Sequence, residues 1–254
     1  MVVLGFLGAI LLASVLLALP FAQAPGANVS PLDAAFTAVS AVAVTGHVVV
    51  DTATAWSGAG LVIILLFIQL GGLGVMLVAS LIGLTIVRRY SLRSRTLAGT
   101  ENRGVTTGDV ARLAKGILIS SLAIEAVVAL ALSLRFRLRY DDSWAEAIGH
   151  GVFLAISSFN NAGFAPFSDN MIGFASDPFV LLPMCFATIL GGLGFPVLLQ
   201  LRREFRRPLH WTMNTNIVLS MTALLLVLGT VYIAVLEWSN PETLGSMSIG
   251  DRLL

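Results

Sequence analysis

The sequence has little charge and almost no cysteine, and both shortages narrow what the protein can be. Charged residues make up 11% of the 254 residues, whereas an ordinary soluble domain carries about 25%. A soluble globular domain is therefore excluded. The single cysteine, Cys185, excludes an intrachain disulfide and a zinc site built on cysteines. The net charge of +1 provides no general attraction to nucleic acid.

The sequence is rich instead in long apolar runs, which indicate an all-α polytopic membrane protein. Hydrophobic residues make up 57% of the chain and the mean hydropathy is +0.91. A helix needs about 20 apolar residues to cross about 30 Å of hydrocarbon. This requirement predicts spans at residues 2–22, 57–87, 110–134, 179–201 and 214–237. Isolated prolines such as Pro183 and Pro196 are expected to be tolerated within the fourth span.

The first run is near the minimum length for a span. The alternative is a cleaved signal peptide ending near residues 22–24. A signal peptide begins with a positively charged region, but no basic residue precedes Leu4. A misassigned start that removed a basic tail is a third possibility.

Two further apolar segments, residues 31–47 and 147–164, are too short or too broken to cross the membrane. Each is predicted to form a helix of about ten residues that ends in a glycine-containing stretch, a length that fits a re-entrant segment. Non-helical backbone at membrane depth is tolerated only where it is buried in protein or lines a wet cavity. These two segments are therefore the first candidates for function.

The basic residues predict the orientation of the chain. Eleven of the 15 Lys and Arg residues lie in the two loops that follow the second and fourth predicted spans or in the first two turns of the third span. Because cytoplasmic loops carry the excess of basic residues, these loops and the N-terminus are predicted to be cytoplasmic. Both re-entrant segments then enter the membrane from the outside.

The chain also repeats itself. A shift of 117 positions aligns Gly46 with Gly163, and a shift of 120 aligns the Leu-Gly-Gly-Leu-Gly motif at 70–74 with that at 190–194. Each unit contains a span, a re-entrant helix, a glycine, a second span and a basic loop. Since two spans per unit preserve orientation, the units are predicted to be parallel repeats around an axis normal to the membrane, unlike the inverted repeats of many transporters.

The repeat divides the chain into residues 1–108, 109–212 and 213–254. The third unit is cut short, because 249–254 resemble 31–36 at a shift of 218 and the chain then stops. Two units and the start of a third cannot enclose a pore alone. We therefore expect the chain to be a fragment of a longer protein.

The glycine-containing stretches have the character of a cation filter. A dehydrated ion is stabilised by rings of backbone carbonyls, and glycine permits the unusual dihedral angles that such a ring requires. A re-entrant helix also directs its negative C-terminal end towards the membrane interior. The candidate ion-binding residues are Val44, Thr45, Gly46 and His47 in the first stretch, and Asn161, Ala162, Gly163 and Phe164 in the second.

Several stretches are similar to one family. Residues 36–52 resemble the first pore loop of the Trk/Ktr/HKT superfamily of potassium transporters, and residues 69–74 resemble the start of the inner helix that comes after it there. Residues 157–164 resemble the second pore loop of that superfamily, and residues 227–254 resemble the beginning of its third repeat. The resemblance covers essentially the whole chain and is nearest to the bacterial Ktr/Trk membrane subunits.

The resemblance implies four repeats around one pore, of which about two and a quarter, the N-terminal half, are present here. It implies transport of K+, with Gly46 and Gly163 as filter glycines and with carbonyl donors at 44–46 and 161–163. Glycine rather than serine at position 46 favours K+ over Na+ there. It further implies a homodimer with a cytosolic nucleotide-binding regulatory subunit facing residues 88–115 and 202–210.

Other residues have roles that the sequence leaves open. His47 departs from the apolar residue usual in the family, and is either a tolerated substitution or a proton-sensitive group. Glu125 lies in the middle of a span, so it should face the protein interior with a hydrogen-bond partner or serve an ion. Small residues allow membrane helices to pack closely, and six glycines are assigned to such packing behind the filter: Gly71, Gly72, Gly74, Gly191, Gly192 and Gly194.

Two rival functions remain. An enzyme is disfavoured because the sequence contains neither His-Glu-x-x-His nor Gly-x-Ser-x-Gly. A non-conducting assembly subunit is the second rival, because a partial set of repeats does not close a pore. Within the transport interpretation, a sodium-permeable cation transporter of the same fold is the alternative.

Overall fold

A computed structural model describes residues 2–95, 107–140 and 143–252, with side chains for 3–82, 110–140 and 143–252. These residues form α-helices joined by short 3-10 turns, and the described part contains no β-strand. The helices are α1 (Val2–Ala18), α2 (Pro31–Val42), α3 (Thr52–Ala55), α4 (Gly58–Arg95), α5 (Thr107–Arg139), α6 (Trp144–Phe159), α7 (Pro178–Leu193), α8 (Phe195–Glu204), α9 (Met213–Glu237) and α10 (Ile249–Arg252).

Three helices of the described chain are long and apolar enough to cross a membrane. They are the segment Gly58–Ile82 of α4, the segment Val110–Arg139 of α5, and α9. These helices confirm that the predicted second, third and fifth spans are long apolar helices, which are typical of a membrane protein. The first predicted span forms α1, a helix of 17 residues, which is shorter than the 20 or so that a full crossing needs.

The fourth predicted span is interrupted. Helices α7 and α8 meet at Gly194 and are bent by 103°, so the helix does not continue through Pro196, and the predicted fourth span is at most a broken one. Proline has no N–H, and its ring collides with the carbonyl four residues earlier, here that of Gly192. Gly194 takes a φ of +80°, which glycine adopts without a steric penalty. Pro183, in contrast, lies inside α7, as predicted.

The two short segments form α2 and α6, with 12 and 16 residues. At 1.5 Å per residue, α2 is about 18 Å long and cannot cross the bilayer. Both helices begin with a capping box. The side chain of Ser30 or Ser143 accepts a hydrogen bond from the backbone N–H three positions on, and the acidic side chain at that position accepts one from the backbone N–H of the serine. Such a box satisfies two backbone donors that a helix start leaves free.

Two apolar clusters form the core. The first joins α1, α2 and α4, and the second joins α5, α6 and α7. Phe153, Ala162 and Phe164, which belong to α6 and the loop after it, pack in the first cluster. The segment that ends α6 is therefore the place where the two halves of the core meet.

Candidate functional site

The residues that come after α2 and α6 form two closely similar turns, which we call the first glycine loop (residues 43–47) and the second glycine loop (residues 160–164). Both turns carry the paired backbone hydrogen bonds of a Schellman motif, with N···O distances between 2.8 and 3.2 Å. The donor–acceptor pairs are Val44–Ala41 and Thr45–Ser40 in the first loop and Asn161–Ser158 and Ala162–Ser157 in the second.

The backbone dihedral angles of the two loops also agree. Val44 and Asn161 have φ values of 56° and 57°, and Gly46 and Gly163 both have 75°. Left-handed φ values are therefore found at the first and third positions after each helix cap. Asn and Gly adopt this region readily, whereas a β-branched residue such as Val44 is a true outlier there. Backbone strain of this kind collects at functional sites.

The two glycine loops touch each other directly. A Cβ atom built on Gly46 would overlap the carbonyl oxygen of Ala162 and lie 3.1 Å from the Cα of Gly163. Gly46 therefore has no room for a side chain. On the other loop, a Cβ on Gly163 would lie 3.6 Å from the Cα of Gly46, which is an ordinary contact. The two loops can therefore approach this closely only because position 46 has no side chain.

A hydrogen bond joins the segments beyond the two loops. The hydroxyl of Ser168 donates to Oδ2 of Asp51 at 2.6 Å, across 117 positions of sequence. This bond lowers the pKa of the Asp51 carboxyl, against a smaller opposing effect of burial. Nothing local in the sequence predicts this pair, because the two residues lie 117 positions apart.

The glycines of the two Leu-Gly-Gly-Leu-Gly motifs occupy three kinds of position. Gly71 and Gly191 lie against the last residues of the short helices, so that a Cβ on either would overlap the carbonyl oxygen of Val42 or Phe159. A Cβ on Gly72 would overlap the side-chain oxygen of Asn160, and one on Gly74 would lie 3.0 Å from the Phe6 ring. Four of the six predicted packing glycines are therefore in close contact.

The remaining two are placed differently. Apart from its chain neighbours and the backbone of α7, no described atom lies within 4 Å of the position of a Cβ on Gly192. Gly194 marks the break between α7 and α8, and its role is conformational. The sequence pattern alone does not separate these two from the four that pack.

Glu125 lies in the middle of α5 and is 4% exposed. Its Oε1 accepts hydrogen bonds from Nε2 of Gln69 at 3.0 Å and from Nδ2 of Asn160 at 3.3 Å. A carboxylate within a membrane span requires such partners. The expected interior position is thus observed, and its partners come from α4 and from the start of the second glycine loop.

An open cavity of about 550 Å³ lies beside the two loops. Its walls include Ala43 and Asn160, the C-terminal caps of α2 and α6, and it reaches Gly194 and Pro196 at the break between α7 and α8. A helix C-terminus carries a partial negative charge. The cavity therefore receives two negative helix ends, an arrangement that favours a cation.

The last residues of the two loops have different surroundings. His47 is exposed, whereas Phe164 is 2% exposed. The carbonyl oxygen of Phe164 accepts a hydrogen bond from the Ser157 hydroxyl at 2.6 Å. That carbonyl is thus already engaged by the protein, which makes Phe164 the weakest of the four ion-binding candidates in the second loop. No cluster of His, Cys, Asp and Glu suited to a metal ion occurs among the described residues.

Residues 10–243 match the sequence model of TrkH, described as a cation transport protein. The chain belongs to the TrkH family. It is 38% identical to Ktr system potassium uptake protein B of Bacillus subtilis over 250 residues, which cover 98% of this chain and 55% of that protein. It is also 38% identical over 254 residues to the protein of the same name from Vibrio alginolyticus, covering 100% of this chain and 55% of that relative.

A further relative has a different name. The potassium/sodium uptake protein NtpJ of Enterococcus hirae is 33% identical over 249 residues, which cover 98% of this chain and 54% of that protein. The chain thus spans about half the length of these relatives. Membership of the TrkH family makes this a member of an ion-transport family rather than an enzyme family.

Proposed function

We propose that the chain forms part of a pore that carries K+ across the cell membrane, with the two glycine loops as two segments of its selectivity filter. The single observation that carries this proposal is the matched backbone of the loops. Both have left-handed φ values at their second and fourth positions, and Gly46 rests directly on Ala162 of the other loop.

The proposal follows from the cost of dehydrating an ion. An alkali cation cannot enter a low-dielectric region unless other ligands replace its water, and backbone carbonyl oxygens do so in filters. We assign the carbonyls of 44–46 and 161–163 to this role. The cavity that receives the C-terminal ends of α2 and α6 would hold the hydrated ion on its way to or from the filter.

We infer that the repeats are parallel and surround one axis, with further repeats outside this chain. Support comes from α10, where Ser248 and Asp251 form the hydrogen bonds that Ser30 and Asp33 form at the start of α2. A third re-entrant helix would thus begin at Ile249. The division into units 1–108, 109–212 and 213–254 rests on the same comparison.

The arrangement in the cell is proposed from charge and from resemblance. Basic residues around the C-terminal ends of α4 and α8 and at the start of α5 favour a cytoplasmic location for those ends and for the N-terminus. We propose a multi-pass protein of the cell membrane, assembled as a homodimer. A cytosolic nucleotide-binding regulatory subunit would bind at residues 88–115 and 202–210.

A sodium-permeable transporter of the same fold is the second candidate, because one relative is named a potassium/sodium uptake protein. The test expresses the full-length protein containing this chain in bacteria that lack their own K+ uptake systems. We expect growth at low external K+, with K+ uptake much faster than Na+ uptake. Protein that reaches the membrane without carrying K+ would overturn the proposal, and equal rates for both ions would favour the second candidate.

A further inference from the structure

We propose that Glu125 is a positioning residue for selectivity, which holds the second glycine loop in shape through the side chain of Asn160. The inference rests on the proposed function, since it assigns to that loop a part in choosing the ion. The residues concerned are Glu125 on α5, Gln69 on α4 and Asn160 at the end of α6. None of the three belongs to the proposed set of carbonyl donors.

The three side chains form a closed set of hydrogen bonds. In addition to the two bonds that Oε1 of Glu125 accepts, Nδ2 of Asn160 donates to Oε1 of Gln69 at 3.1 Å. Each side chain therefore contacts both others. Because the three residues come from α4, from α5 and from the C-terminal cap of α6, the set joins α4 to two helices of the second repeat, deep in the protein.

Asn160 is the point at which this network can act on the filter. It is the C-terminal cap of α6, and the next residue is Asn161, the first with a left-handed φ. Its Nδ2 also donates to the carbonyl oxygen of Ile156 at 2.9 Å, and its Oδ1 lies against Gly72. The side chain is 6% exposed, so it has little freedom once Glu125 binds it.

The first glycine loop has no equivalent of this network. The position that corresponds to Asn160 is Ala43, which has no polar side chain. The first loop instead uses the Thr45 hydroxyl, which donates to Oγ of Ser40 at 3.1 Å. A change at Glu125 should therefore disturb the second loop without removing the contact that orders the first.

The chemistry of Glu125 allows hydrogen bonding to be separated from charge. Only Oε1 accepts hydrogen bonds, and Oε2 is buried without a described partner. Glu125→Gln keeps an acceptor oxygen for both amides. Glu125→Leu removes the described acceptor of Gln69 Nε2 and leaves Nδ2 of Asn160 with Oε1 of Gln69 and the Ile156 carbonyl. A donor without an acceptor is costly inside a protein, so in the leucine variant Gln69 should turn towards another acceptor and loosen its contact with Asn160.

The experiment measures K+ and Na+ uptake by the full-length protein in bacteria without their own K+ uptake systems, at equal membrane abundance. We expect Glu125→Leu to lower the K+/Na+ uptake ratio roughly tenfold and Glu125→Gln to keep it near the wild-type value. Ser121→Ala is the matched control, because Ser121 is buried one turn away on α5 and its hydroxyl bonds only to Leu118 of the same helix.

A general loss of packing would lower uptake of both ions together and would leave their ratio unchanged. A ratio in Glu125→Leu equal to that in Ser121→Ala overturns the inference while K+ transport by the wild type stands. A wild-type protein that carries no K+ overturns the proposed function as well. If Glu125→Leu does not reach the membrane, Gln69→Leu replaces it, with a smaller shift in the same direction expected and an unchanged ratio again contradicting the inference.

Discussion

The two glycine loops and the two Leu-Gly-Gly-Leu-Gly motifs differ in how sequence relates to structure. The loops have the same backbone although Val44 and Asn161 are unlike residues. The motifs have the same five residues, yet α4 continues through the first and α7 ends in the second. Similar sequence is therefore neither necessary nor sufficient for similar conformation in this chain.

The difference has a local cause in each case. The loops are shaped by the end of the preceding helix, whose last carbonyls accept the same hydrogen bonds in both, and by the contact at Gly46. The motifs differ in the residues immediately after them, which are Val75 and Met76 in α4 but Phe195 and Pro196 after α7. Proline two residues beyond the last glycine removes the backbone donor that a continuing helix needs.

The largest effect is expected from Gly46→Ala. The new Cβ would overlap the carbonyl oxygen of Ala162, and alanine is also disfavoured at a φ of 75°. If that carbonyl is an ion ligand, its displacement should lower K+ uptake by more than about tenfold. A barrier to permeation that is higher by about 1.4 kcal/mol already slows the rate tenfold. The measurement is the initial rate of K+ uptake at matched membrane abundance. Uptake at the wild-type rate would contradict the filter assignment.

Gly163→Ala is the matched variant. Within the described chain its Cβ meets nothing closer than 3.6 Å, so contacts here predict a milder effect than at Gly46. The four-repeat proposal predicts otherwise, because a third loop would then lie against Gly163 as the second lies against Gly46. Equal loss of uptake in the two variants supports that third loop. A clearly milder effect at position 163 argues against it.

A smaller change should result from Pro196→Ala. This variant tests why α4 continues through its glycine motif whereas α7 ends in the second one. Restoring the N–H and removing the ring relieves a penalty of about 3 kcal/mol against a continuous helix. We expect the angle between α7 and α8 to open. Spin labels on Cys185, which is exposed, and on Arg203→Cys would move apart towards the distance of a straight helix, about 27 Å. Cys185 is the one cysteine among these 254 residues.

Pro183→Ala is the control, because Pro183 already lies within the continuous helix α7 and its replacement should leave the label distance unchanged. An unchanged distance in Pro196→Ala as well would assign the break to packing. The candidate contact is then Phe195, which is 7% exposed and whose Cζ would lie 2.7 Å from a Cβ on Gly116.

The helical class, the spans in α4, α5 and α9, and the positions of the two short helices were predictable from composition and periodicity. The break at Gly194 was not, although its residues are visible in the sequence. Pro183 and Pro196 look alike as isolated prolines in one apolar run, and the structure separates them by the positive φ of Gly194, two residues before Pro196. The capping boxes at Ser30 and Ser143 have a recognisable pattern and could have marked the starts of the short helices.

The hydrogen-bond partners within the site could not be predicted from sequence patterns. Glu125 could be predicted to need a partner because a buried carboxylate is costly. Its partners Gln69 and Asn160 lie 56 and 35 positions away, and no local spacing connects them. The contact of Ser168 with Asp51 spans 117 positions. Such pairs depend on how the two halves of the core are packed together, which local periodicity does not specify.

The smallest predicted effect concerns the unlike residues of the two loops. Val44 holds a left-handed φ that costs a β-branched residue about 1–3 kcal/mol, whereas Asn161 tolerates the same angle. Val44→Asn should therefore raise the midpoint of thermal unfolding of the purified protein while K+ uptake continues. Asn161→Val, the reciprocal change, should lower it and also loses the hydrogen bond to the carbonyl of Thr188. If Val44→Asn is destabilising instead, the packing of the valine side chain outweighs its backbone strain, and the two loops share a conformation for different energetic reasons.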